Sequence, residues 1–269
     1  MLEVKREHIV DQSMDCLAQI KRAIDFIRDN RLWKGLFEQK WILVYTILVA
    51  CLYSYWTVRY CMQVLGAWMG GDGGEGASFV QQITVNSSSS NYLLLILLEV
   101  IIFHFAVRTL NILKGRKDTL ELKQFIKAEK RMIFVSLMNF VYGIAANATL
   151  SVGLGVLGLG SLKALGMYIV TSYFVGLSFF DNYNEQYHIA PKASRYVVWQ
   201  YWPAALTLGM VITVAMSVPV IGPIVGPIWG AVAAALYGHQ VSMHLVPIPT
   251  KYLSKKKRKQ AEMEESEFV

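Results

Sequence analysis

Charge is scarce in this chain. Only 17% of its 269 residues are Asp, Glu, Lys or Arg, while 54% are hydrophobic. A globular domain carries about a quarter charged residues, so this deficit, with a mean hydropathy of +0.38, points away from a soluble core and toward a surface that faces lipid. Cysteine is scarce as well: Cys16, Cys51 and Cys61 have no metal-like or paired spacing. Cys51 and Cys61 fall in one helical segment, so reduced or buried thiols are expected rather than a disulfide. The five histidines (His8, His104, His188, His239, His244) are scattered, without a carboxylate or cysteine at ligand spacing, and there is no nucleophile elbow. No metal, no cofactor and no enzymatic activity are expected from such a set. Residues 153–160 contain the glycine spacing of a dinucleotide fingerprint, but they follow an apolar helix and lack a βαβ context. Small residues there serve close helix approach or a bend in the backbone. A cleavable leader is also not expected, because the first forty residues alternate charged and apolar side chains.

What the chain does have is long apolar runs. A bilayer span needs about twenty predominantly apolar residues. Such runs are read at 41–56 with continuation to 69, at 92–113, at 133–152 and at 162–180; two shorter arms lie at 203–218 and 224–237. The expected fold is an all-α integral membrane protein with four transmembrane helices, a Pro-broken pair of short or hemi-penetrating helices, and a cytoplasmic amphipathic N-terminal helix. Three regions follow: a lead-in over 1–40, a membrane domain over 41–249, and a disordered basic and acidic tail over 250–269. Lys and Arg in short loops set orientation. Of 26 such residues, all but Arg59 and Lys163 lie in segments assigned to one side, and residues 70–91 contain none. Both termini are therefore expected in the cytoplasm, with the Gly/Ser loop outside. Trp33, Trp41, Trp56, Trp68, Trp199 and Trp202 fit interfacial aromatic belts. Asn86-Ser87-Ser88 is a glycosylation sequon on the outer side, which matters only in an endoplasmic reticulum membrane.

Near the N-terminus, Val10, Met14, Leu17, Ile20, Ile24 and Ile27 recur at helical spacing, opposite Asp11, Asp15, Lys21, Arg22, Asp25, Arg28 and Asp29. The nearly balanced charge favours packing against protein, in cis or on a partner, over a surface-lying anchor. Residues 115–131 are read as a charged extension of the second helix turning into the third, with Leu120, Phe125 and Ile126 as its apolar positions. The run 255–259 is basic enough to touch anionic headgroups; nucleic acid has no other feature to support it.

The segment 179–237 is the most distinctive. It opens with a polar stretch from Phe179 to His188, expected as a wet elbow, and closes around Pro219, Pro223 and Pro227. Proline removes a donor and breaks the helix ladder. The freed backbone groups then need a protein or water partner at membrane depth, so the hairpin is a candidate half-span or permeation path. Ionisable groups inside a span are functional or paired. Glu99 is expected some 10 Å below the outer surface by helical rise, within reach of Arg59. The two either form a structural pair or attract an anion, with Glu99 holding Arg59 when the site is empty. His104 is read as a packing histidine near mid-membrane.

This last third resembles the CysZ sulfate-permease family and its eukaryotic relatives, the etoposide-induced membrane proteins. The resemblance rests on four features in order. These are the elbow Phe180-Asp181-Asn182-Tyr183, the stretch Pro191-Lys192-Ala193-Ser194-Arg195, the small-residue run 204–209, and the turn 218–223 leading into the arm 227–235. It implies four spanning helices plus a hemi-penetrating pair, a homo-oligomer, and channel-like inward passage of sulfate. The family's Gly-Leu/Ile-Arg motif maps onto Gly35-Leu36-Phe37, where the arginine is absent and Lys34 and Lys40 are the nearest cations. Two functions are expected. The first is a membrane transporter or channel for a small inorganic, sulfate-like anion, its path or gate drawn from Lys34, Gly35, Leu36, Arg59, Glu99, Pro219, Gly222, Pro223 and Pro227. The second is a non-transporting scaffold that recruits a protein partner through its N-terminal helix. The expected host is the lipid bilayer of a prokaryotic plasma membrane, with the endoplasmic reticulum as the alternative.

Overall fold

The computed structural model describes residues 9–34, 43–44, 47–49, 51, 55, 98–99, 101–116, 122–218, 221–249 and 252, with side chains at 122–130, 132 and 223 left aside. Seven α-helices are traced among them. These are α1 (Ile9–Asp29), α2 (Ile101–Leu113), α3 (Leu122–Val156) and α4 (Lys163–Glu185). After these come α5 (Pro191–Gln200), α6 (Trp202–Met216) and α7 (Gly222–Gln240). Short 3-10 turns lie at Gly160–Leu162 and Met243–Leu245. No strand occurs among the described residues, as an all-α reading requires.

Two stretches, Ile133–Val156 and Gly160–Glu185, are long and apolar enough to cross a membrane, and a third is reached if α5 and α6, bent by 94°, form one broken span. This marks the chain as an integral membrane protein. The expected first span (41–69), the loop 70–91 and the tail from 253 lie outside the described residues, apart from a few helical positions between 43 and 55. α3 shows an apolar flank to its surroundings, with Phe134, Val141 and Val152 all exposed, as a lipid-facing helix does. α2 is the reverse: every residue from Ile101 to Val107 is buried. A helix that is apolar all round belongs in an interior, and α2 sits at the core.

Helix ends follow one device. α1, α2, α3 and α4 are closed by left-handed residues at Arg31, Gly115, Gly158 and His188. At each, the residue after it donates its amide five positions back, as in Leu159 N to Leu154 O and Leu32 N to Ile27 O. This is the Schellman arrangement, which satisfies orphan carbonyls. It also decides the role of the glycine run, since a Cβ on Gly153, Gly155, Gly158 or Gly160 would meet nothing within 4 Å. Gly158 serves the turn between α3 and α4, and among the described residues none of the four mediates close packing.

Close packing occurs instead where α4 meets α6 and α7. A Cβ on Gly176 would strike the Ala205 carbonyl, and one on Gly209 would strike that of Ser172. The two backbones therefore touch directly, as small residues permit at helix crossings in membranes. One and two turns on, Phe179 covers Gly230 and Tyr183 covers Gly238, so aromatic knobs on α4 fill holes on α7.

The expected elbow at Phe180, Asp181, Asn182 and Tyr183 is corrected here. These residues are the last turns of α4, all buried, and the chain turns only at 186–190. Asn182 Nδ2 donates to Glu99 and Tyr183 OH meets His244, so the stretch reads as polar without being wet. α5 then begins at Pro191, a favoured first helical position.

The apolar face assigned to α1 also needs correction. α1 packs on α6 and α7 of its own chain, but through Gln12, Cys16, Gln19, Ile20 and Ala23. Val10, Met14, Leu17 and Ile24 are exposed. Four polar contacts select the buried face. Gln12 Nε2 donates to Gln200 O at 3.3 Å, Cys16 Sγ to Ala204 O at 3.4 Å, Trp229 Nε1 to Ile20 O at 2.7 Å, and Gln19 to the Gln240 side chain. Burial pushes the Cys16 thiol up to about 12, against the backbone of Leu208, which lowers it.

Candidate functional site: a polar seam between α3 and α4

α3 and α4 run antiparallel, and polar side chains meet along their contact. At one end, Arg131 forms an ion pair with Glu185 and donates to Ile189 O. Next, Ser136 Oγ donates to Glu99 Oε2 at 2.8 Å, while Asn182 Nδ2 donates to Glu99 Oε1 at 2.7 Å. Further along, Asn139 Nδ2 donates to Ser178 Oγ and Asn147 Nδ2 to Thr171 Oγ1, both at 3.2 Å. Ser151 Oγ lies 3.7 Å from Met167 Sδ. From residue 131 to 151 this covers about 30 Å of helix at 1.5 Å per residue, the thickness of a bilayer's hydrocarbon core.

The local sequence makes this seam. Positions 136, 139, 143 and 147 of α3 share one helical face, as do 171, 178, 182 and 185 of α4. The advance from 136 to 139 to 147 along α3 is answered by 182 to 178 to 171 back along α4. Glu99, Asn139, Asn147, Thr171, Ser178, Asn182 and Glu185 are all buried. In an apolar surrounding a lone carboxylate is costly, and the two donors on Glu99 are what hold it there.

The seam is most strongly charged near Arg131. Asp181 is buried within electrostatic reach of Arg131 and Arg195 and beside Ser194. Ser194 Oγ also accepts from Asn184 Nδ2 at 3.0 Å. Beyond this end, Tyr187 and His244 stack at 3.7 Å, Tyr183 OH lies 2.8 Å from His244 Nδ1, and Lys114 Nζ sits 4.0 Å over the Tyr187 ring. Burial, Lys114 and His239 together push the His244 imidazole below its ordinary range.

The expected site residues are dispersed. Gly35, Leu36, Arg59 and Pro219 lie outside the described residues, and of Pro223 only the backbone is described. Lys34 is exposed, on the turn after α1. Gly222 opens α7 against the Ala215 carbonyl, and Pro227 lies inside α7. Of the described members of that path set, Glu99 alone enters the seam. Asp181 and Asn182, named for the elbow, join it there.

Glu99 sits near the Arg131–Glu185 end of the seam. Its partners Ser136 and Asn182 lie within two turns of Arg131 and Glu185, at the basic end. Lys114, just past the end of α2, reaches Tyr187, five residues from Asn182. His104 is buried, edge-on to Phe105. Sequence reading passed over Ser136, Asn139, Asn147, Thr171 and Ser178; their signal was polar residues recurring on one helical face, three, seven or eight positions apart, within otherwise apolar runs.

No family model, curated protein or solved structure matches this chain.

Proposed function

We propose that this protein is a membrane transporter or channel for a small inorganic oxyanion, the seam between α3 and α4 being its polar route. The observation that carries the reading is the line of buried hydroxyl and amide groups from Ser136 to Asn147, about 17 Å of helix, beside Glu99. Neutral O–H and N–H donors can replace the hydration shell of an anion without trapping it by charge. In this reading Glu99 is a resident stand-in for the cargo. Its carboxylate occupies the donors of Ser136 and Asn182, and a permeating oxyanion competes for the same donors. Arg131, Arg195 and Lys114 supply positive charge at one mouth, which raises the local anion concentration. The resemblance to the CysZ family favours sulfate and a homo-oligomer. The charge distribution favours cytoplasmic termini, with the basic end inward in a plasma membrane.

The test is uptake of labelled sulfate by proteoliposomes of the full-length protein. Saturable uptake is expected, and Glu99→Gln is expected to change it by about tenfold or more while helical content and thermal midpoint stay close to wild type, because the amide keeps one acceptor for Ser136. Absence of flux from folded wild-type protein would overturn the proposal.

A second reading is favoured by the pairs Asn139–Ser178 and Asn147–Thr171, which satisfy one another as interhelical glue does. In that case the seam only joins α3 to α4, and the protein is a membrane scaffold.

A further inference from the structure

We infer that α1 is an interfacial helix of the bilayer, its Val10, Met14, Leu17 and Ile24 stripe seated at the boundary between headgroups and acyl chains. The inference stands independently of any transport activity.

α1 has three faces rather than two. At 100° per residue, Gln12, Cys16, Gln19, Ile20 and Ala23 centre on one direction, and this is the face docked on α6 and α7. Asp11, Asp15, Arg22 and Asp29 centre about a third of a turn away. The remaining third holds Val10, Met14, Leu17 and Ile24, exposed by 60%, 60%, 41% and 52%, with Lys21 and Arg28 among them. An apolar stripe interleaved with basic residues is the pattern of a helix lying in a membrane interface; Asp25, at the edge of the stripe, is paired to Arg28 at 2.8 Å.

Docking sets its level. Gln12 meets Gln200 O and Cys16 meets Ala204 O, so a four-residue advance along α1 matches a four-residue advance through the corner between α5 and α6. At that corner Trp199 and Trp202 are 61% and 38% exposed, as belt tryptophans are at the headgroup level. The stripe on α1 thus begins beside the corner where the apolar helix α6 starts. Sequence pattern alone assigned these residues to protein packing. The structure satisfies the packing with another face and leaves the stripe to lipid, whose anionic headgroups complement Lys21.

The experiment uses full-length protein with Cys51→Ser and Cys61→Ser, retaining the buried Cys16. A bimane label is placed at Leu17→Cys and, separately, at Val10→Cys or Asp15→Cys, in vesicles of phosphatidylcholine with one third phosphatidylglycerol. Brominated acyl chains and aqueous iodide serve as quenchers. For a stripe about 5–10 Å into the boundary, lipid quenching at Leu17 and Val10 is expected to be roughly threefold that at Asp15, with iodide showing the opposite order. Equal iodide quenching at all three sites would overturn the proposal in favour of a solvent-facing helix. Protection of Leu17 from both quenchers would also overturn it. If that protection is lost on dilution into excess lipid, the occupant is a second copy of the chain.

Discussion

Arg31 and His188 occupy left-handed backbone at φ 47° and 55°, both exposed, at positions where most helices place glycine. A side chain there meets the following carbonyl at a cost of about 1–2 kcal/mol. Part of that is offset, because glycine would have more freedom to lose on folding. Arg31→Gly and His188→Gly are therefore each expected to stabilise the detergent-purified protein, by about 0.5 kcal/mol. An unchanged or lowered thermal midpoint for both would show that the side chains make contacts that outweigh the strain. Sequence could not identify these ends. Neither residue is a helix-stop signal, and the left-handed turn is imposed by the hydrogen bonds that the next residue completes, with Leu32 and Ile189 buried in consequence.

The elements are held by contacts that depend on absent side chains. Gly209 lets α6 lie against the Ser172 carbonyl of α4, with the Gly176 amide 2.9 Å from where a Cβ would stand. Gly209→Ala has only backbone to push against and is expected to destabilise by about 2 kcal/mol or more. Gly155→Ala, where a Cβ would meet nothing within 4 Å, is expected to shift stability the other way, by up to about 1 kcal/mol of helix propensity. Thermal unfolding in one detergent compares the pair. Equal effects would mean that the crossing of α4 and α6 has room to adjust. Both glycines sit in similar small, apolar surroundings in the sequence. Their difference arises because one faces a neighbouring helix and the other faces outward, which no local pattern encodes.

At the scale of the whole molecule, the cluster of Lys114, Tyr187, His244 and Tyr183 ties together the end of α2, the turn after α4 and the segment after α7. His244 is held below its ordinary value of about 6.5 by burial, with Lys114 and His239 adding to the effect. The unfolded chain therefore takes up this proton first. Stability is unaffected by the group at higher pH and falls as pH drops through the unfolded value near 6.5. Lowering the pH from about 8 to about 5.5 is expected to reduce the thermal midpoint, and His244→Gln should remove part of that slope. A slope identical in the variant would assign the acid sensitivity to other groups.

Sequence by itself determined the class. Apolar runs and scarce charge specify helices in lipid, because no other solvent accepts such faces, and proline and small-residue spacing located α6 and α7 to within a few residues. It also singled out Glu99, since one carboxylate in an apolar run must be partnered. Tertiary structure decided the partners. Which face of α1 packs depended on four polar contacts with distant residues. The stretch Phe179–His188 is buried because α2, α3 and α5 supply donors and cations to it. The donors that hold Glu99 come from α3 and α4. Each of these is set by contacts between segments far apart in the chain, and periodicity along a single helix cannot carry that information.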